Sequence, residues 1–309
     1  MRKITPPQQL PDDADSKPAE FGNHIPVLLS ETVSLLAPRA GERYLDLTAG
    51  YAGHASKIID VTGAANATLV DRDARAIAAL EPMRQQGARV LHSDFLTAAH
   101  QLLAQNEQFN MILVDLGVSS PQLDIAERGF SIKRDGPLDM RMDDRQERTA
   151  ADIVNRAPKR ELIGMLETYG EERPGRAQQI ATAIIKARPI RTTHELAEVV
   201  LSTHRGPHQK VHPATRTFQA IRIALNDEIV QVTELLPLLP RLLTKGGRVV
   251  VISFHSLEDR LVKHYFAENA GSGYEAELQL LTKKPIRGDL YDVHNPRARS
   301  AVLRAAVKK

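Results

Sequence analysis

The chain has no cysteine and no tryptophan in 309 residues, and aromatic side chains make up only 4%. The missing cysteines exclude disulfides, thiolate metal sites and a cysteine nucleophile, and they suit a reducing cytoplasm. No metal centre is expected. The scarcity of aromatics argues against an extended stacking platform for nucleic-acid bases. There is also no apolar segment at the start: MRKITPPQQLPDDADSKPAE is polar and proline-rich, neither a secretory signal nor a membrane anchor, and reads as a disordered leader over residues 1–20. Neither sign of charge dominates, because the formal balance is +3, which permits an anionic partner without requiring one. The distribution says more. Lys283, Lys284, Arg287, Arg297, Arg299, Arg304, Lys308 and Lys309 crowd the last stretch against Asp289 and Asp292.

What is present centres on YLDLTAGYAGH, Tyr44 to His54. A short apolar run ending in Asp46 suits a buried parallel strand, and Gly50 and Gly53 let the backbone turn closely round a ligand before a helix begins. The length accommodates two domains of moderate size. His24 to Leu36 places Val27, Leu28, Val33, Leu35 and Leu36 at near-helical spacing, and Pro38 stops the run. After the turn, Ala55–Val61 reads as a helix and Ala67–Val70 as a second strand ending at Asp71. Asp71 lies about twenty residues past the turn, the spacing at which a Rossmann-type fold sets an acid on ribose hydroxyls.

A helix over Ala74–Gln85 leads to a third strand, Arg89–His92, followed by Asp94 and Phe95, which are placed to bracket an adenine. Met111–Val114 forms a fourth strand ending at Asp115 and the loop LGVSSPQLD. From about Glu127 the pattern changes. Thr149 and Asp152 make a capping-box start, Leu162–Tyr169 stops at Gly170, Ala177–Ala187 stops before Pro189, and Thr192 caps another helix. A fifth strand, Gly247–Ser253, follows Lys245-Gly246, read as a helix-ending turn, and Ser300–Val307 reads as a closing strand. The fold class is therefore α/β: a Rossmann-like sheet over residues 21–130 and 240–309, with an inserted all-helical domain over 131–239.

In a doubly wound sheet the ends carrying Asp46, Asp71, Asp94 with Phe95, and Asp115 emerge along one edge, where an adenosine-containing cofactor binds. The turn departs from G-x-G-x-x-G, which weakens a pyrophosphate grip and disfavours a nicotinamide oxidoreductase. It suits S-adenosylmethionine.

HIPVLLSETV from His24, AGH at 52–54, DRD at 71–73, DLGVSSPQLD at 115–124, ERGFS at 127, RDGPLDMRM at 134–142, YGEER at 169, HPATRTFQAIRIALNDE at 212, ISFHSLEDRLVK at 252 and NPRARSAVLR at 295 closely resemble the bacterial ribosomal RNA small-subunit methyltransferase H family. The resemblance implies a class I methyltransferase sheet with a helical insertion. It further implies methyl transfer from S-adenosylmethionine to the exocyclic N4 of a decoding-centre cytidine in 16S rRNA of the small ribosomal subunit, in the cytoplasm and away from membranes. Cofactor contacts then fall on Ala52, Gly53, His54, Asp71, Phe95, Asp115 and Gln122. Three departures stand out: Ala52 where the family commonly has glycine, Pro174-Gly175 interrupting an expected helical continuation, and a short Leu281–Asn295 segment. Oligomeric state is not legible.

The sulfonium methyl is already activated and the cytosine amine is a poor nucleophile, so alignment and a hydrogen-bond acceptor are the main requirements. Asp115 and the loop Ser119, Ser120, Pro121 are the candidates. His255 could take a proton, contact RNA or be structural. Arg216 and Arg222 suit either phosphate or the carboxylates Asp227 and Glu228, and Asp139, Arg141 and Asp143 either a salt-linked lid or a substrate clamp. A non-catalytic RNA-binding factor of the same fold, and DNA amino-methylation, remain alternatives.

Overall fold

In a computed structural model, residues 26–206, 211–271 and 276–309 are described; the leader expected over 1–20 lies outside them. Strands β1 (Tyr44–Asp46), β2 (Ala67–Asp71), β3 (Arg89–His92), β4 (Phe109–Asp115) and β5 (Leu243–Ser253) pair in parallel. Three more, β6 (Leu278–Leu280), β7 (Ile286–Arg287) and β8 (Val302–Lys308), join antiparallel. The sheet order is β3-β2-β1-β4-β5-β8-β6, with β7 also against β8. Parallel strands followed by an antiparallel strand beside β5 make this the sheet of a class I methyltransferase.

Burial follows from the two-residue period of a strand. Ile112 and Val114 of β4 join Val249 and Val251 of β5 in one core, with Phe95, Leu102, Leu235 and Phe266. Met111 and Leu113 join Val250 and Ile252 in the other, with Leu36, Ile58 and Leu69. Helices cover both faces, so every central residue has apolar neighbours and the switch point between β1 and β4 is left open at the carboxyl ends.

Between β4 and β5 lie helices Ala150–Arg156, Lys159–Thr168, Pro174–Ala187, Thr193–Ser202 and Thr215–Asn226. They enclose a third core with Phe130, Leu138, Met140, Ile153, Ile180, Leu196 and Phe218. Their starts are chemically marked. Thr149 and Asp152 form a capping box, and the Thr192 hydroxyl accepts from Glu195 N–H. Pro174 opens its helix instead of interrupting one, since at the first position its missing N–H is not needed.

Two other expectations need correction. The helix expected over Ala74–Gln85 is two helices, Ala74–Ala79 and Glu81–Gln85, because Pro82 cannot continue the hydrogen-bond ladder. Lys245-Gly246 does not end a helix: the preceding helix stops at Leu242, and the pair lies within β5, where the register against β4 shifts and Gly246 takes φ +74°.

Candidate cofactor and active site

The turn after β1 is tied to its neighbours by carboxylates and one hydroxyl. Gly50 N–H donates to Asp71 Oδ2 and Asp73 N–H to Asp71 Oδ1, each at 2.8 Å, so Asp71 clamps its own strand end to the glycine turn. Asp115 N–H donates to Thr48 Oγ1 at 2.6 Å, joining β4 to the same turn. Gly53 has no room for a side chain, since a Cβ there would lie 2.5 Å from Pro26 Cγ. Ala52, just before it, sits at φ +63°, in the left-handed region where a Cβ is disfavoured. That is the physical content of the departure from glycine.

Asp46 stands behind the turn. Tyr44 O–H donates to its Oδ2 at 2.7 Å and Thr48 N–H to its Oδ1 at 3.1 Å. Burial pushes its carboxyl up to about 7, with help from the charge of Asp71 and against those two hydrogen bonds. In the unfolded chain an Asp releases its proton near pH ~4. The folded protein holds the proton longer, so this group favours folding below pH ~4 and that contribution is lost as pH rises through about 7. Asp46→Asn cannot ionise, and its stability relative to the unchanged protein should therefore rise by up to about 4 kcal/mol between pH ~4 and pH ~8. Urea unfolding at several pH values measures this, and parallel curves for the two proteins would contradict it.

Asp115 lines the open space at the end of β4. A quarter of its side chain (25%) is exposed, yet Oδ1 is buried without a hydrogen-bond partner. Burial, then the charges of Asp46 and Glu258, hold its carboxyl well above the usual range. His54 flanks it, with Nδ1 3.7 Å from Asp115 Oδ2 and Nε2 3.0 Å from the carbonyl of Val27. The His54 side chain thus has definite partners beyond its backbone.

The loop after Asp115 is organised by Gln122. Its amide oxygen accepts from Ser119 N–H at 2.9 Å, Ser119 Oγ caps the helix Ser120–Asp124, and Gln122 Nε2 donates to Asp73 Oδ2 at 3.0 Å. Arg128 Nη1 reaches the same oxygen at 2.5 Å. Asp73 and Arg128 were not singled out from sequence, although both lie inside quoted motifs. Ser120 and Pro121 are buried at the first turn of that helix. Phe95 borders the cavity and also packs into a core cluster. Asp94 departs from its expected place beside an adenine: its carboxylate accepts from Thr97 N–H at 2.8 Å as a helix cap.

His255 also has a local task. Its Nδ1 accepts from Glu258 N–H at 3.4 Å, capping the helix Ser256–Asn269, and its Nε2 is 3.2 Å from Glu258 Oε1. Burial would raise Glu258, but His255 and Arg222 outweigh it and hold this carboxyl below its ordinary value. Arg222 grips Glu228 with two bonds of 2.8 and 2.9 Å, while Arg216 donates to the Glu171 carbonyl. Glu171, from YGEER, accepts from Ser256 Oγ and Arg260, and so latches the helical segment to the helix after β5. Asp139 and Arg141 form a two-bond pair, as do Asp143 and Arg145, so this loop is salt-linked.

Asp71, Phe95, Asp115, Ser119 to Gln122 and His255 border a single cavity of about 1160 Å³, closed on the far side by Thr215, Gln219 and Arg222. A recess of about 500 Å³ adjoins it, lined by Phe130, Phe218, Lys133 and Arg134 and sharing Arg222 and Arg297 with it. The space, the close backbone turn and the part-exposed Asp115 carboxyl fit an adenosine-linked sulfonium group together with a second molecule.

Residues 22–309 match the sequence pattern of the MraW methylase family. The chain belongs to that family. Among its relatives is the ribosomal RNA small subunit methyltransferase H of Acidobacterium capsulatum, 44% identical over 302 residues, covering 94% of this chain and 100% of the relative. The protein of the same name from Synechocystis sp. is 43% identical, covering 94% of each chain. That from Cyanothece sp. is 45% identical over 285 residues, covering 92% of this chain and 94% of the relative. In this MraW-family member Gly53, His54, Asp71, Phe95, Asp115 and Gln122, of the residues that resemblance assigned to the cofactor, line one opening, while Ala52 does not, and Gln122 spends both ends of its amide on Ser119 and Asp73.

Proposed function

We propose that this chain methylates the exocyclic N4 of a decoding-centre cytidine in 16S ribosomal RNA, using S-adenosylmethionine, in the bacterial cytoplasm where small subunits assemble. The observation that carries the reading is the part-exposed carboxyl of Asp115, at the end of β4 and lining the strand-end cavity, in a chain of this methylase family. When bound, the cofactor supplies a methyl group already activated on a sulfonium. Asp71 offers the ribose its remaining lone pairs, Phe95 gives the adenine an apolar wall, and the backbone at Ala52 to His54 cradles the methionine end. The part-exposed carboxyl of Asp115 accepts from the amine and favours charge on its nitrogen. Ser119 is less suited, because its hydroxyl already caps a helix.

The target base enters from the side opposite the cofactor, extruded from its strand as base-modifying enzymes require. The helices between Ala150 and Asn226 form the unit that receives it, since Val232, Leu235 and Leu239 beyond them pack into the sheet core, and the adjoining recess holds a neighbouring nucleotide between Phe130 or Phe218 and the cations of Lys133, Arg134 and Arg297. Lys283, Lys284 and Arg299, exposed in the basic last stretch, add phosphate contacts, which makes binding salt-sensitive, whereas Arg304 is held by Asp259 and Lys308 by the Leu243 carbonyl.

Nucleosides from small-subunit RNA incubated with the protein and methyl-labelled S-adenosylmethionine should contain labelled N4-methylcytidine by mass analysis. Label on another atom, or none, would overturn the reading. Asp71→Ala should weaken cofactor binding about tenfold or more, since it removes a charge-accepting partner and leaves Gly50 N–H and Asp73 N–H without acceptors. Calorimetry showing unchanged affinity would remove Asp71 from the site.

A further inference from the structure

We propose that Arg128 is a positioning residue for methyl transfer, one that holds the target side of the cavity in register with the strand end carrying Asp71. This rests on the methyl-transfer reading above and adds a residue to it.

Arg128 is not among the residues that line the cavity, so it acts through what it touches. Its guanidinium works in three directions. Nη1 donates to Asp73 Oδ2 at 2.5 Å, Nη2 donates to the Arg141 carbonyl at 3.0 Å, and Cζ lies 5.9 Å from the centre of the Phe130 ring. Each contact leads to a different wall. Asp73 lines the cavity two residues after Asp71, whose Oδ1 accepts from its N–H. Arg141 belongs to the salt-linked loop, and Met142, the residue after it, lines the cavity. Phe130 lines the adjoining recess.

The Asp73 carboxylate is shared. Oδ1 accepts from Arg75 N–H, while Oδ2 takes both Arg128 and the amide of Gln122. The other end of that amide holds Ser119 N–H, so one oxygen fixes the loop after Asp115 and the arginine together. The backbone that delivers the guanidinium is also locked. The Arg128 carbonyl accepts from Met140 N–H at 3.0 Å, and a Cβ on Gly129 would lie 2.2 Å from the Pro137 carbonyl oxygen. The chain at 128–129 therefore has no room to slide along 137–140.

Charge pairing alone does not explain this arrangement. The side chains of Arg128 and Asp73 are 12% and 7% exposed, and a pair this deep loses in desolvation much of what it gains in attraction. What it supplies is direction, because the planar fork of an arginine serves a carboxylate and a carbonyl at once and still lies against a ring. Direction matters for this reaction: a misplacement of about 1 Å is enough to slow a positioned transfer ~10²-fold.

Arg128→Lys tests this, because it keeps a positive charge beside Asp73 but lacks the second arm for the Arg141 carbonyl. Single-turnover methyl transfer at saturating cofactor and small-subunit RNA should slow on the order of 10²-fold, while cofactor affinity by calorimetry stays near that of the unchanged protein. A rate near that of the unchanged protein would mean that Arg128 only balances the charge of Asp73, and would overturn the proposal; so would equal losses in rate and cofactor affinity. Hydrogen exchange gives a readout apart from activity. In the variant, exchange should quicken in the loops 119–122 and 139–142 and stay unchanged in β4 and β5; unaltered exchange in both loops, or a rise throughout the chain, refutes the role. Arg128→Met combined with Asp73→Asn leaves no buried charge unpaired, so it should fold and still be slow, and recovery of the rate would refute positioning. Absence of N4-methylcytidine with the unchanged protein would instead overturn the function, and this inference with it.

Discussion

Asp115→Ala should lower the single-turnover rate of methyl transfer by about 10²- to 10⁴-fold, the range expected when a positioned proton acceptor is removed. The fold should survive. Asp115 sits at the end of β4, its N–H is held by the Thr48 hydroxyl whatever the side chain, and its carboxyl is disfavoured by burial and by Asp46 and Glu258. Deleting that carboxyl therefore relieves repulsion, and thermal unfolding should occur at or above the temperature of the unchanged protein. Asp115→Asn separates shape from chemistry, since it fills the same space without taking a proton. A normal rate in either variant would move proton acceptance to another group.

The largest loss of stability is expected from Arg222→Ala, at about 3–5 kcal/mol, the range for breaking a buried ion pair from one side. Arg222 and Glu228 are 14% and 6% exposed, and their two-bond contact links the last helix of the insertion to the helix that follows. Burial alone would lower the Arg222 guanidinium, yet the charges of Glu228 and Glu258 hold it above its ordinary value. Truncation leaves Glu228 charged in a poorly solvated place. Arg222→Met combined with Glu228→Leu removes both charges, and denaturant unfolding should show much of the loss recovered. Equal losses in the single and double variants would mean that packing, not charge, sets the cost.

How far these features were readable depends on the distance over which they act. The strands of the sheet, the glycine turn and the Asp71 spacing follow from local periodicity, and the family's motifs add the cofactor residues. Side-chain direction is not local. Asp71 turns back onto Gly50 and Asp73, and Asp94 caps its own helix through Thr97, a contact that a capping pattern competes for wherever Asp precedes a helix. The contact of the His54 ring with the Val27 carbonyl spans 27 positions, and the use of Gln122 depends on Asp73, 49 positions away. Pro174 could break a helix or begin one, and only the neighbouring segments decide which. Glu258 drew no attention because a burial of this depth, with His255 and Arg222 on either side, is assembled from three separate stretches.

The neighbouring parallel strands β4 and β5 are separated by about 130 residues of chain, and closing a loop of that length from an unstructured state costs about 4 kcal/mol in entropy. The helices between Ala150 and Asn226 have their own apolar interior, so they are able to collapse first and shorten the effective gap. Refolding is accordingly expected to be sequential, with helical signal gained before the centre of the sheet is protected from hydrogen exchange. The cavity, which needs both strand ends, would be the last part of the molecule to acquire its shape.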